Sequence, residues 1–176
     1  MNPVSLTMFG HVMIAVTILG SPQVMTLLAF ILVLFLWIHH KPHHLAQVAC
    51  FMIVGGMTVW LMKHGFRFPR PTGGLIRESG YGFPSGHTTM STLFFSLLFF
   101  AYVSHIKSRV GRWIFFLVTV VMIASISYSR IYLGVHSWYD VMGGVSLGVL
   151  LFVLSMLFYN KLQNKAHQKS GEHIKK

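Results

Sequence analysis

Residues 138–160 read WYDVMGGVSLGVLLFVLSMLFYN, and Asp140 is the only charge among them. About 20 apolar residues cross the hydrocarbon core of a bilayer, so the stretch predicts a membrane-spanning helix with a carboxylate in its first turn. Four more runs of the same character lie upstream, at about 22–38, 45–62, 88–104 and 113–128, and no lysine or arginine falls inside any of them. The shortest need polar ends to complete the crossing. The predicted fold class is therefore all-α, a polytopic membrane helix bundle with five or six transmembrane helices. Residues 3–19 carry the open choice. VSLTMFGHVMIAVTILG is apolar but broken by Ser5, Thr7, Gly10, His11 and Thr17, and it reads either as a sixth span or as a helix lying in the interface. It has no basic leading segment, so it does not read as a cleaved signal peptide.

Composition agrees. The chain is 54% hydrophobic and 10% charged, where a soluble domain carries roughly 25% charged residues. The net charge of +11 does not point to nucleic acid, because the basic residues sit in short segments between apolar runs, where membrane orientation accounts for them. The single cysteine, Cys50, has no partner for an internal disulfide. Two parts are expected: a membrane-embedded domain over 1–160 and a basic, solvated, partly disordered tail over 161–176 that touches anionic lipid.

With five spans, the connecting segments alternate sides. HHKPHH (39–44), HIKSRVGR (105–112) and residues 161–176 fall together and hold nine basic residues, against five on the other side: Lys63, Arg67, Arg70, Arg77 and Arg130. The positive-inside rule places the nine in the cytoplasm. The five then face outward against that rule, which calls for a ligand.

Three blocks supply the reason. Lys63-HGFRFP-Arg70-Pro71 starts as one span ends, Pro84-Ser85-Gly86-His87 opens the next, and Ser129-Arg130-IYLGV-His136-SWY-Asp140 joins the last two. All three meet one membrane face. Phosphoryl transfer asks mainly for positioning and for positive charge around the equatorial oxygens. Lys63, Arg70 and Arg130 supply that charge, the arginines through a two-pronged fork. Ser85 and Gly86 precede a helix start, where free N–H groups favour an anion. His136 and Asp140 are four apart and share a face on a helical turn. A carboxylate on one imidazole nitrogen leaves the other free to attack. His87 is then the general acid for the leaving oxygen. A carboxylate-held metal site does not fit, since the chain has only Glu78, Asp140 and Glu172, and two-metal phosphatases use several carboxylates.

The blocks K-x6-R-P, P-S-G-H and S-R-x5-H-x3-D resemble in full the pattern of the type 2 phosphatidic acid phosphatase superfamily. LGSP at 19–22 and WYDVMGG at 138–144 extend the resemblance over about residues 16–160. ESGYGFPSGH (78–87) looks most like bacterial phosphatidylglycerophosphate phosphatases of broad specificity. The resemblance implies that His136 forms a phosphohistidine with Asp140 orienting it, and that His87 protonates the leaving group. Lys63, Arg70, Ser85, Gly86 and Arg130 then bind the phosphate, with no cofactor and no metal. It implies a lipid phosphate or diphosphate as substrate, phosphatidylglycerophosphate or undecaprenyl diphosphate favoured, in a bacterial cytoplasmic membrane with the site facing the exterior. A lipid phosphotransferase or a lipid A phosphatase using the same site is the alternative. Many relatives carry a further span before the region matching 3–19.

Other features read more plainly. Arg67 is expected as an exposed loop residue, and Arg77 and Glu78 as solvated charges or headgroup contacts. His39, His40, His43 and His44 are expected to meet anionic headgroups. Gly144 and Gly148 have the spacing of a close helix contact. LFFSLLFFAY (93–102) is expected to divide between lipid and core.

Overall fold

A computed structural model describes residues 7–174, with side chains through residue 168. Six α-helices follow in order: α1 Met8–Leu19, α2 Pro22–Ile38, α3 Pro42–Phe66, α4 Gly86–Tyr102, α5 Arg109–Tyr132 and α6 Trp138–Ile174. A 3-10 turn, Val103–His105, follows α4. No strand occurs among the described residues. The helices α3, α4 with its turn, α5 and α6 are each long and apolar enough to cross a membrane, and α1 with α2 meets that test only as a bent pair, a broken span or a re-entrant loop.

In the described part of 3–19, α1 is a separate short helix bent against α2; residues 3–6 lie outside the described chain. The helix α2 has 17 residues, about 26 Å at 1.5 Å per residue, somewhat short of the roughly 30 Å hydrocarbon core. The helix α1 adds to it at an angle of 48°. Local chemistry makes the break. Pro22 is the first residue of α2 and the Ser21 hydroxyl accepts from Val24 N at 3.4 Å, so a new helix starts where proline cannot continue the old ladder. A Cβ at Gly20 would lie 2.4 Å from Ile126 Cγ2, so only glycine lets the corner press onto α5.

The helix α4 is the centre of the bundle, packed against α2, α3, α5 and α6. None of its residues is exposed; Leu93, Leu97 and Ala101 are fully buried. Within 93–102, Leu93, Phe94, Leu97 and Ala101 are buried in the core and the other six residues are half-buried. The other helices present more exposed side chains, such as Trp60, Leu61, Leu117 and Leu157. Hydrocarbon gives little drive to bury apolar groups, so close packing of small residues matters. Gly144 and Gly148 of α6 meet that need within the bundle. A Cβ at Gly148 would stand 2.6 Å from Thr92 Cβ, and one at Gly144 would stand 2.9 Å from the Ser85 carbonyl. A buried hydrogen bond, Gln47 Nε2 to Ser155 Oγ at 3.1 Å, ties α3 to α6.

At the end away from the three blocks, Lys41 Nζ donates to His105 Nε2 at 2.8 Å, which joins 39–44 to 105–112 as the alternation of sides requires. His44 stacks on Tyr159, ring centroids 4.5 Å apart, so this part of the histidine cluster packs α3 on α6. The helix α6 continues to Ile174, because a helix already nucleated in the span adds residues without a second nucleation cost. Residues 175 and 176 lie outside the described chain.

Candidate active site

Two connections build the site: the irregular segment 67–85 between α3 and α4, and the turn 133–137 between α5 and α6. They are fastened to each other. Leu75 N donates to Leu133 O at 2.9 Å, and a Cβ on Gly74 would stand 2.6 Å from Gly134 O. Gly134 itself has φ +70°, a left-handed conformation that glycine adopts freely. The Arg130 carbonyl accepts from Val135 N and His136 N at 3.2 and 3.3 Å, which wraps the turn tightly over the end of α5.

Asp140 is the junction of the site. Its Oδ2 accepts from Ser137 N at 2.8 Å, while Ser137 Oγ accepts from Asp140 N at 3.2 Å, a reciprocal cap on the start of α6. Its carbonyl accepts from Ser85 N at 2.9 Å, which binds the PSGH segment to α6. The same Oδ2 lies 3.5 Å from His136 Nδ1. That ring nitrogen is buried and has no hydrogen-bond partner, so the carboxylate faces it without bonding it. The other nitrogen, Nε2, receives an N–H from Arg70 Nη1 at 3.1 Å. An arginine only donates, so Nε2 presents its lone pair. Burial first, and then the cationic neighbours Arg70 and Arg130, hold the His136 imidazole down to about 2. It is neutral at physiological pH.

The cations converge around that lone pair. Arg70 also donates from Nε to Gly80 O at 3.2 Å and from Nη1 to Val135 O at 3.1 Å. Arg130 is wholly buried and donates to Thr17 Oγ1 at 2.7 Å and to Glu78 Oε1. Lys63, in the last turn of α3, donates to the carbonyls of Tyr81 and Gly82 at 2.6 and 3.3 Å. At the start of α4, Ser85 makes no side-chain cap, so the first-turn amides lack partners within the helix. Gly86 and His87 line a cavity of about 650 Å³ together with Lys63, Arg70, Glu78 and His136. Below this polar head the cavity runs between α2 and α3, past Met25, Ala29, Phe30, Met52 and Ile53.

The residues singled out from sequence thus come together, with two qualifications of position. Ser85 is fully buried behind the cavity, and its hydroxyl accepts from Thr88 Oγ1 at 3.1 Å. Arg130 and Asp140 sit behind the lining residues rather than on the cavity wall. Arg67 is exposed and its Nε donates to His64 O at 3.0 Å, as a plain loop residue. Arg77 is exposed as well. Glu78, expected as a solvated charge or a headgroup contact, and Thr17, read only as a polar break, both touch the arginines instead. Glu78 is bonded to Arg70 and Arg130 at once. Burial alone would raise its carboxyl; the hydrogen bond and charge of Arg130, with Arg70 beside it, hold it below the usual carboxylate range. One acid between two arginines in a segment of excess positive charge was the available signal.

Residues 44–164 match the family model of the PAP2 superfamily, and the chain belongs to that superfamily. It is 35% identical over 91 residues to phosphatidylglycerophosphatase B of Bacillus subtilis, covering 51% of this chain and 44% of that protein. It is 32% identical over 109 residues to dolichyldiphosphatase 1 of Rhinolophus ferrumequinum, covering 56% of this chain and 46% of that protein. The chain spans about half the length or less of these curated relatives. The crystal structure of a transmembrane PAP2-type phosphatidylglycerolphosphate phosphatase from Bacillus subtilis superposes with a TM-score of 0.78 at 27% identity, over 90% of this chain and 80% of that one. Fold and family agree on a multi-pass membrane helix bundle.

Proposed function

We propose that the protein hydrolyses a lipid phosphate or lipid diphosphate without a metal, through a phosphohistidine on His136. The observation that carries this reading is the neutral His136, its Nε2 lone pair beside Arg70 at the polar head of a cavity whose remainder is apolar. A phosphorylated headgroup fits the head, and its hydrocarbon chain fits the groove between α2 and α3.

Nε2 of His136 attacks phosphorus as the bond from phosphorus to the lipid oxygen breaks. His87 gives its proton to that oxygen. Asp140 faces Nδ1 and stabilises the positive charge the ring acquires. Lys63, Arg70 and Arg130, with the first-turn amides at Gly86, hold the equatorial oxygens; Ser85 acts by shaping that helix start. Water then attacks phosphorus, His87 takes its proton, and the P–N bond breaks to release phosphate. Cations take the place that metal ions occupy in other phosphatases. The acid inventory supports this, because Asp140 is committed to His136 and Ser137 and only Glu78 remains near the head.

The proposal extends to substrate and sidedness. The phosphatidylglycerophosphatase and dolichyldiphosphatase relatives favour phosphatidylglycerophosphate and undecaprenyl diphosphate. The charge asymmetry between the two ends favours a bacterial cytoplasmic membrane with the site outward. The test is phosphate release from both lipids and from glucose 6-phosphate in mixed micelles containing EDTA. Both lipids are expected to turn over well above the soluble ester, and His136→Ala to abolish release. Turnover by His136→Ala, or full loss in EDTA restored by magnesium, would overturn the mechanism.

A further inference from the structure

The phosphate seat is not empty. Each oxygen of Glu78 faces a different arginine: Oε2 lies 3.0 Å from Arg70 Nη1, and Oε1 accepts from Arg130 Nη2. A carboxylate bridging two guanidinium groups reproduces what two equatorial oxygens of a phosphate do. Glu78 also lines the cavity beside His87, Gly86 and His136. We propose that Glu78 is a resident anion that fills the phosphate seat of the unliganded protein, so that substrate phosphate binds, and product phosphate leaves, by exchange with it. This rests on the reading of the site as a phosphate site.

Geometry requires the exchange. The N–H groups of Arg70 and Arg130 that hold the two Glu78 oxygens are the ones a phosphate would use, and they cannot serve both anions at once. Protonation does not remove Glu78, because the arginines hold its carboxyl below the usual range. The carboxylate must swing away, and it is able to. Glu78 lies outside any helix, its side chain is 27% exposed, and the neighbouring Gly80 has φ +82° with open space around it.

With the carboxylate displaced, Arg70 keeps Gly80 O, Val135 O and His136 Nε2, while Arg130 keeps Thr17 Oγ1 and turns the N–H that Glu78 releases to the phosphate. Glu78 therefore contends with the ligand for the arginines that it pairs in the ligand's absence. Its effect is to weaken retention of phosphate, which speeds release of the inorganic product at some expense of affinity.

The experiment is calorimetric titration of the purified full chain in detergent with inorganic phosphate and with orthovanadate. Glu78→Gln is expected to bind both about tenfold more tightly than wild type, the scale of a hydrogen bond to a charged group. The KM for the lipid should fall in parallel with no rise in kcat. Equal or weaker binding by Glu78→Gln overturns the inference while leaving the phosphate site standing. Absence of binding by either form overturns the site reading and the inference with it. A measurement on the wild-type protein stands apart from any folding defect. Carbodiimide labelling of Glu78, read by mass spectrometry, is expected to rise when vanadate is bound, since the displaced carboxylate enters solvent. Unchanged or reduced labelling under saturating vanadate overturns the inference.

Discussion

The proposed mechanism gives Asp140 a second job beside its cap, and one pair of substitutions separates the two. Its carboxylate faces His136 Nδ1 at 3.5 Å, and the same oxygen accepts from Ser137 N to start α6. Asp140→Asn keeps an acceptor for Ser137 N and removes the charge. At 3.5 Å and an effective dielectric near 20, a unit charge pair is worth about 5 kcal/mol. The charge matters most once the ring becomes cationic during attack, and an asparagine dipole recovers a part. We expect kcat to fall about a thousandfold, roughly 4 kcal/mol of barrier, with the thermal midpoint nearly unchanged. Asp140→Ala removes the cap as well and is expected to lose about 0.5–2 kcal/mol of stability in addition. Phosphate release in mixed micelles reads the first effect, and intrinsic tryptophan fluorescence on heating in detergent reads the second. An Asn variant within threefold of wild-type activity would refute the orienting role. An Asn variant as unstable as the Ala variant would show that the charge, not the cap, holds α6 in place.

Gly148→Ala places a methyl 2.6 Å from Thr92 Cβ and 2.9 Å from the Thr89 carbonyl; overpacking of this kind costs about 1–3 kcal/mol, read as a lower thermal midpoint. Gly65→Ala, with nothing within 4 Å of the new Cβ, is the control and should leave the midpoint unchanged or slightly raised. His136 is held below its unfolded value of 6.5, so below that pH the unfolded chain binds a proton the native state refuses. Stability is then lost as pH falls from 6.5 to 5, by about 1.5 kcal/mol, and His136→Gln should flatten that part of the profile; an unchanged slope counts against the buried neutral ring. Glu78, held low, gives up its contribution only at more acidic pH, outside this window. For sidedness, a reporter fused after Lys176 should be active only as a cytoplasmic type and one near Gly73 only as an exported type; the reverse pattern puts the site inside the cell.

What the sequence disclosed follows from where each constraint acts. Spans are legible because lipid imposes apolarity on every outward face, and the run 22–38 coincides with α2 residue for residue. The bent pair was not legible. Its angle depends on Gly20 meeting Ile126, a contact between residues far apart in the chain, and no local pattern encodes it. Which residues of α4 are buried was not legible for a related cause: LFFSLLFFAY has the same composition whether it faces lipid or four other helices, and only topology tells them apart. The cations and histidines of the site were legible because charge at a span end is expensive and has to be explained.

Glu78 escaped because a single acid in a segment of glycines and arginines has no period and no cap to betray it. Yet scarcity itself was informative. Of three acids in the whole chain, two meet the same small group of cations, one behind His136 and one in front of it. In a bilayer-bound protein with a surplus of positive charge, a carboxylate near a phosphate site is never neutral in effect: it either stabilises charge that develops on the nucleophile or contends with the ligand for the arginines. Asp140, buried and fastened to Ser137, suits the first task. Glu78, part-exposed on a loop, suits the second, as proposed above. The distinction lies in mobility and not in residue type, which is why a sequence that names both acids does not tell them apart and a structure does.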